Sequence, residues 1–394
     1  MKGSAQESLS KLIKKYKINR VVWNRLYSKK SISRDTKIKQ DLKEKNIEVE
    51  TFNAHLLNEP WEVQNNSGLY FKVFTPYWRK AFDVYKAKKY QITSLKSIDP
   101  LEHNEKTQWN FLPSKKWYQK FSNYWKPGEE EALKKLKYYI NNHIDNYKEG
   151  RDRPDLDQTS RLSPHLRFGE ISPRMIVNQV IKSKKLDISS LTFLSEIGWR
   201  EFSYSLLYYS KDLSTMPINE KFSKFPWRKN EKDLNLWKKG KTGIPLIDAA
   251  MRQIYDNGWM HNRLRMVVGS FLVKNLLLNW TYGERYFQNT LLDYDEASNA
   301  AGWQWIAGCG ADASPYFRVF NPVLQSERFD PQAKFILKYL PDLEELKKPS
   351  LIFQPYLSEE SLNNLVKNNQ YYYPIVDLKD SRNRALEAYQ RIKS

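Results

Sequence analysis

The stretch that decides how this chain is read runs from Thr242-Gly243-Ile244-Pro245 through Asp256-Asn257-Gly258 to Trp259-Met260-His261-Asn262-Arg263-Leu264-Arg265-Met266. Proline at a first helical position has its φ preset and loses no donor. Ile247, Ala250, Met251 and Ile254 then repeat at helical spacing, which predicts a helix with one buried face. Asp256-Asn257-Gly258 ends it, because these residues tolerate turn geometry. A second helix is expected from near Trp259, with Trp259, Asn262 and Met266 on one stripe and His261 and Arg265 on the next. Burying an amide and a guanidinium beside an apolar face is costly unless each has a partner, so this face either lines a polar pocket or lies on the surface. The apolar run Met266 to Leu278 argues against the surface. Asp293-Tyr294-Asp295 supplies carboxylates for Arg265, and Asn299 with Ala300-Ala301-Gly302-Trp303-Gln304-Trp305 follows. Small residues before two tryptophans let a flat ring system approach the backbone. A packed helical core with one internal ion pair is the alternative.

Working outward, 394 residues are enough for two domains. The 56 aromatic residues (13 Trp, 25 Tyr and 18 Phe) predict large buried aromatic surfaces, stacking sites or both. A net charge of +20 points to a polyanionic partner. Nucleic acid is favoured over a mere solubility charge because the lysines accompany aromatics and not a disorder-like composition. The single cysteine, Cys309, excludes an intramolecular disulfide and a CxxC site, and the five scattered histidines form no HExxH, so no metal is expected. The best apolar run is cut short by Lys274, and the N-terminus has no signal-peptide core. The expectation is a soluble, cytoplasmic protein.

Ser4 to Lys17 reads as a helix, Arg20 to Asn24 as a strand, Arg34 to Asn46 as a helix and Ile47 to Phe52 as a second strand. This alternation marks a parallel α/β unit, here incomplete at its N-terminus because two parallel strands do not make a stable doubly wound sheet. Residues 1–85 are thus expected to be a partial Rossmann-like α/β domain, 86–125 a connector packed across a domain surface, and 126–394 a large helical domain. Gly128-Glu129-Glu130-Glu131 places acids on a first helical turn, where the dipole favours them. Thr159-Ser160-Arg161-Leu162-Ser163-Pro164 delivers a loop into a helix start, with Ser163 as N-cap and Pro164 first in the helix. Such a start suits phosphate, although an ordinary N-cap looks the same. Phe193 to Leu207 is an amphipathic helix carrying Glu196, Trp199, Arg200 and Glu201, fit for a recognition site or for a surface ion-pair network. Trp227 and Trp237 fall in a basic loop region.

Four motifs, taken together and in order, carry a resemblance. Thr159 to Ser163, Trp199-Arg200-Glu201-Phe202, Trp259 to Met266, and Asn299 to Trp305 closely resemble the DNA photolyase/cryptochrome family, most of all class I cyclobutane pyrimidine dimer (deoxyribodipyrimidine) photolyases. The likeness runs from near residue 5 to the C-terminus and is strongest from about 145 to 330.

The resemblance implies an N-terminal α/β domain that holds an antenna chromophore and a helical domain that binds FAD. It implies that Tyr147 and Thr159, Ser160, Arg161, Leu162 and Ser163 bind the FAD phosphates, and that Glu196, Arg200, Trp259 and Asn262 border the cofactor. Arg265 and Asp293 would pair beside its ring system, with Asp295 at the polar edge and Asn299 facing N5. Glu196, Trp199, Asn262, Arg263, Met266 and Trp305 would receive the lesion, Glu196 donating to it in protonated form. Trp303, Trp280 and Trp227 match the family's electron-transfer tryptophans. Asn262 and Met266 favour cyclobutane dimers, since the (6-4) enzymes resembling this region carry histidines there. Asn299 argues against plant-type sensors, whose matching position is usually acidic. The Asn-Glu pair typical of folate-antenna enzymes is absent around Lys30 to Asp35, so the antenna type stays unknown and folate is disfavoured. The implied activity is light-dependent repair of pyrimidine dimers in DNA by a monomer. The rivals are a blue-light sensor that repairs nothing and a truncated product that only binds DNA.

Overall fold

The computed structural model describes residues 3–88, 112–183, 186–316 and 318–393. The first helix, Ala5–Tyr16, opens on a reciprocal cap between Ser4 and Glu7. β1 (Arg20–Asn24) and β2 (Glu48–Phe52) pair in parallel, with Arg20 opposite Glu48 and Asn24 opposite Phe52. The helix between them, Lys29–Glu44, starts five residues before the expected Arg34, because the Ser28 hydroxyl caps it by accepting from Ser31 N. Among the described residues the sheet holds these two strands, and the rest of the fold is helical.

A 22-residue helix, Ile188–Tyr209, is the spine on which the site is built, about 33 Å long at the standard rise. Asp187 and Ser190 cap it reciprocally. It begins five residues before and ends two after the expected Phe193 to Leu207. Near its middle Gly198 admits the Trp78 indole of the Phe74–Ala87 helix, since a Cβ there would meet Trp78 Cδ2 at 2.5 Å. The next turn clasps the N-terminal part. Glu201 accepts from Leu57 N (2.7 Å) and Asn58 N (3.4 Å), while Arg200 donates to His55 O (2.8 Å).

The main core gathers around the helices Pro245–Asn257, Asn262–Ser270, Trp280–Thr290 and Glu296–Ala307. Pro245 opens its helix and Gly258, at φ +70°, closes it, as the pattern required. The following helix starts at Asn262, not near Trp259: His261 is its N-cap, so Trp259 and His261 lie outside the helix and do not share its stripes. Within the apolar run after it, Phe271–Asn275 form a π-helical turn and Lys274 is fully buried. Lys274 Nζ donates to Arg318 O (3.0 Å), and burial lowers its pKa to about 7. Trp237 is also fully buried, on the Glu231–Lys238 helix and not in a loop. Of the expected connector, 89–111 lie outside the described residues. The remainder does pack on a helical surface, with Trp125 Nε1 donating to Asn257 O (2.7 Å) and Trp117 stacked on Tyr255.

Backbone lies close against a ring at Gly283, whereas a Cβ on Gly302 would meet nothing within 4 Å. A Cβ on Gly283 would lie 2.1 Å from Trp303 Cη2. Gly283→Ala therefore forces the Trp280–Thr290 and Glu296–Ala307 helices apart. The expected loss is about 1–3 kcal/mol, read as a lower urea midpoint at constant m-value. An unchanged midpoint would show that the two helices are not packed this closely.

Candidate active site

Arg265 projects from the Asn262–Ser270 helix to the turn that precedes Glu296–Ala307. Its Nε donates to Met260 O (2.8 Å) and its Nη2 to both oxygens of Asp293 (3.0 and 2.7 Å). The Asp293 carboxylate is 2% exposed, so this partner is a necessity. Two residues on, Asp295 is the N-cap of the Glu296–Ala307 helix, accepting from Ser298 N (2.8 Å) and from the Tyr204 hydroxyl. Burial opposes its ionisation, but Arg200, Tyr204 and Ser298 outweigh burial and hold it below the usual carboxylate range.

One turn into that helix, Asn299 Nδ2 donates to both the backbone oxygen and Oε1 of Glu284 (3.1 Å each). The amide nitrogen is thereby committed, and Oδ1 is the atom left to accept a hydrogen bond. Glu284 was not legible as a site residue, because it sits on a different helix and only packing brings it to Asn299. Burial raises its pKa.

Several buried donors here lack acceptors. His261 Nδ1 accepts from Arg263 N (3.2 Å), and burial lowers the ring's pKa to about 3, so its one proton sits on Nε2, which has no partner. Arg161, at φ +49°, spans Trp259 and pairs with Asp157 (3.0 Å) but leaves Nε buried and unpaired. Arg200 Nη2 and Arg263 Nε are in the same state. Among the described residues, Thr159 and Ser160 offer half-buried hydroxyls that no protein group engages. Unpaired buried donors are costly, and this set fits a ligand with many acceptor oxygens. A dinucleotide such as FAD meets that need, so the residues fit the group.

The Ser163 expectation needs correction. The short helix Ser163–Phe168 has Leu162 as its N-cap without any side-chain cap bond. The Ser163 hydroxyl is taken instead by Trp259 Nε1 (3.2 Å), which ties the 159–163 loop to the Trp259–Met266 motif. Leu162 itself is buried, as is Tyr147, which packs edge-on against Phe193 and lies beneath the Arg151 guanidinium.

Burial raises the Glu196 pKa, the direction its expected role requires, but the carboxylate has an ionic partner. It is not a lone acid but pairs with Arg151 Nη1 at 2.6 Å, which opposes the shift. Half-buried Trp199 has one face covered by Phe74 (ring centroids 3.8 Å apart, 8° between planes) and Phe202 edge-on at 5.9 Å. Asn262 is exposed, and Met266 and Trp305 are half-buried. Arg263 pairs with Asp152 (2.6 Å) and lies over Phe329. Trp303 and Trp280 are buried in the main core and Trp227 lies at its edge beside Phe225 (4.2 Å). The ring neighbours of Trp303 are Phe287 (5.0 Å) and Trp237 (6.3 Å).

A sequence profile described as the FAD binding domain of DNA photolyase matches residues 193–391, and one described as DNA photolyase matches residues 1–96. The chain belongs to the DNA photolyase/cryptochrome family. It is 42% identical over 407 residues to a deoxyribodipyrimidine photo-lyase of Agrobacterium fabrum, an alignment covering 99% of this chain and 83% of that one. A crystal structure of a bacterial class III photolyase from Agrobacterium tumefaciens superimposes with a TM-score of 0.90 at 40% identity, over 99% of this chain and 83% of the other. An archaeal photolyase from Sulfolobus tokodaii, described as holding two FAD molecules, gives 0.77 at 30% identity, over 99% and 82%. The expected class I label is thus corrected: the 40% identical structure is of class III. No helix among the described residues is long and apolar enough to cross a membrane.

The buried neutral His261 has a thermodynamic signature. Its folded pKa of about 3 lies below the ordinary 6.5, so below pH 6.5 the unfolded chain takes up a proton that the folded chain refuses. Stability therefore falls as pH drops through this window, by about 1.4 kcal/mol per pH unit from this group at the limit. His261→Asn keeps a capping acceptor for Arg263 N and removes that share of the slope. Urea titrations of flavin-free protein between pH 6.5 and 4.5 should show the variant's shallower dependence, and parallel curves would contradict a neutral His261.

Proposed function

We propose that this chain is a light-dependent cyclobutane pyrimidine dimer photolyase with FAD as its catalytic cofactor, acting on DNA as a cytoplasmic monomer without a metal. Its working parts follow the boundaries 1–85, 86–125 and 126–394. The observation that carries the reading is Asn299: its amide nitrogen is locked on Glu284, so a neutral acceptor oxygen is left on the helix that follows the turn holding Asp293, the partner of Arg265. A neutral acceptor stabilises an N–H on the reduced ring system without adding the negative charge an aspartate would bring. When bound, reduced FAD supplies the light-driven electron that opens the cyclobutane ring and then returns.

The protein's own part is to bind, orient and exclude water. Thr159, Ser160 and the Nε of Arg161 serve phosphate oxygens, with Tyr147, Leu162 and Ser163 shaping the wall behind them. Arg200, Trp259, His261 and Asn262 border the remainder of the cofactor. Arg265 neutralises the Asp293 charge, and Asp295 meets the polar edge of the ring. Photolyases flip their target out of the duplex, and the half-buried Trp199 with Trp305, Asn262 and Met266 receives the two fused bases. DNA phosphates compete for Arg151 and Arg263. Once Arg151 is drawn away from Glu196, burial prevails and leaves Glu196 protonated, able to donate to a dimer carbonyl. Trp303, Trp280 and Trp227 serve activation and not repair itself. The antenna chromophore, where one is bound, is of a type the residues do not identify.

The test is restoration of a thymine-dimer oligonucleotide by chemically reduced protein, in blue light and in darkness. Light-dependent restoration is expected. Bound FAD without repair would favour a sensor instead. Asn262→His with Met266→His is expected to lower repair about tenfold or more at unchanged FAD content, and unchanged repair would remove the lesion-pocket assignment. In Trp303→Phe, light-driven reduction of oxidised protein should be lost while chemically reduced protein still repairs; loss of both would contradict a purely activating role.

A further inference from the structure

One line of hydrogen bonds leads from Asp295 away from the pocket and uses residues that no role above requires. Tyr204 donates to Asp295 Oδ2, and its oxygen lies 2.6 Å from His55 Nε2. The phenol proton is committed to the carboxylate, so the ring nitrogen is the donor and His55 is the Nε2–H tautomer. The line is held rigidly. Arg200 donates to His55 O and lies over the Tyr204 ring (4.9 Å), and Tyr27 packs edge-on against the same ring (5.9 Å). Tyr204 and Asp295 are buried, whereas His55 is half-buried and, among the described residues, its Nδ1 has no hydrogen-bond partner. The line thus has an outer end that water reaches and an inner end at the site.

We propose that His55, Tyr204 and Asp295 form a proton relay between solvent and the cofactor edge of the site. This rests on the reading that places Asp295 beside the flavin. The relay is balanced at each atom. A solvent proton enters at His55 Nδ1, His55 Nε2–H passes to the Tyr204 oxygen, and the Tyr204 proton passes to Asp295 Oδ2. Asp295 then gives it to the ring system as that ring takes an electron from an exogenous thiol in light. One proton and one electron arrive together, and all three residues return to their starting charges; His55 is left as the Nδ1–H tautomer and regains Nε2–H by a ring flip or by exchange with solvent before the next transfer. The charged groups facing the line suit this traffic. Arg200 and Arg167 face His55 and Tyr204 and oppose a standing imidazolium, while Asp295 favours one. Burial, the largest influence, keeps the imidazole neutral at rest, with a pKa of about 4. A resting cation would block Nδ1; a resting neutral ring leaves it open to accept.

The experiment uses FAD-loaded protein illuminated with a thiol donor, with proton uptake followed by an indicator dye and flavin reduction by absorbance, in water and in deuterium oxide. His55→Gln is the decisive variant, since glutamine keeps an N–H for Tyr204 yet cannot pass a proton through. Uptake is expected to slow about tenfold or more in His55→Gln and in Tyr204→Phe, with FAD content preserved in His55→Gln. Wild-type uptake in His55→Gln, with Asp295→Asn still altering flavin absorbance or uptake, overturns the relay and leaves the site reading standing. If Asp295→Asn alters neither, the flavin is not beside Asp295, and both fall.

Discussion

Asp293 is nearly removed from water and the half-buried Arg265 is its counter-ion; breaking a buried pair by removing one member typically costs about 3–5 kcal/mol. This pairing ties the Asn262–Ser270 helix to the turn at Asp293–Asp295. From that fixed point the rest of the site falls into register. Asp295, two residues on, caps the next helix, and Asn299 stands one turn inside it, where Glu284 sets the direction of its amide. The neutral His261 caps the helix on the other side of the ion pair. A cationic ring there would add an unpaired charge beside Arg263, Arg161 and Arg265, which together with burial is why its pKa is so low.

The same economy of charge joins the N-terminal part to the helical part. Arg200 and Glu201, adjacent on the spine helix, satisfy the backbone of 55–58, and burial lifts Glu201 to a pKa of about 7 despite Arg200. A clasp made of backbone hydrogen bonds is indifferent to the side chains of the segment it holds. His55 is therefore free to be chosen for chemistry, and its neighbourhood to Tyr204 follows from where Arg200 anchors its carbonyl. Glycine plays the complementary part where apolar surfaces meet: Gly198 admits Trp78 and Gly283 admits Trp303, so two large rings lie against backbone.

Much of this was legible locally. The strand–helix–strand order, the Pro245 start and Gly258 stop, and the acidic first turn after Gly128 each follow from a few neighbouring residues, and each is found. The pairing of Arg265 with Asp293 could be anticipated because an arginine on an apolar helix must find a carboxylate. What failed were readings in which one local pattern suits two structures. Ser163 before Pro164 looks like a cap, but the Trp259 indole claims its hydroxyl. The stripe through Trp259 and His261 presumed a helix that begins only at Asn262.

The sequence by itself determined the fold class and the family, and it supplied the candidate polar groups of the site, because these depend on periodicity, on turn chemistry and on motifs with fixed order. It also determined that charge would have to be buried. Only the tertiary structure decided how that charge is satisfied and what surrounds it: Glu196 against Arg151, Asn299 turned by Glu284, Trp199 stacked on Phe74, and His55 brought to Tyr204 across 149 positions of chain. These contacts join segments far apart in sequence. The energy that selects them comes from desolvation and close packing among several helices at once, and no single segment carries that information.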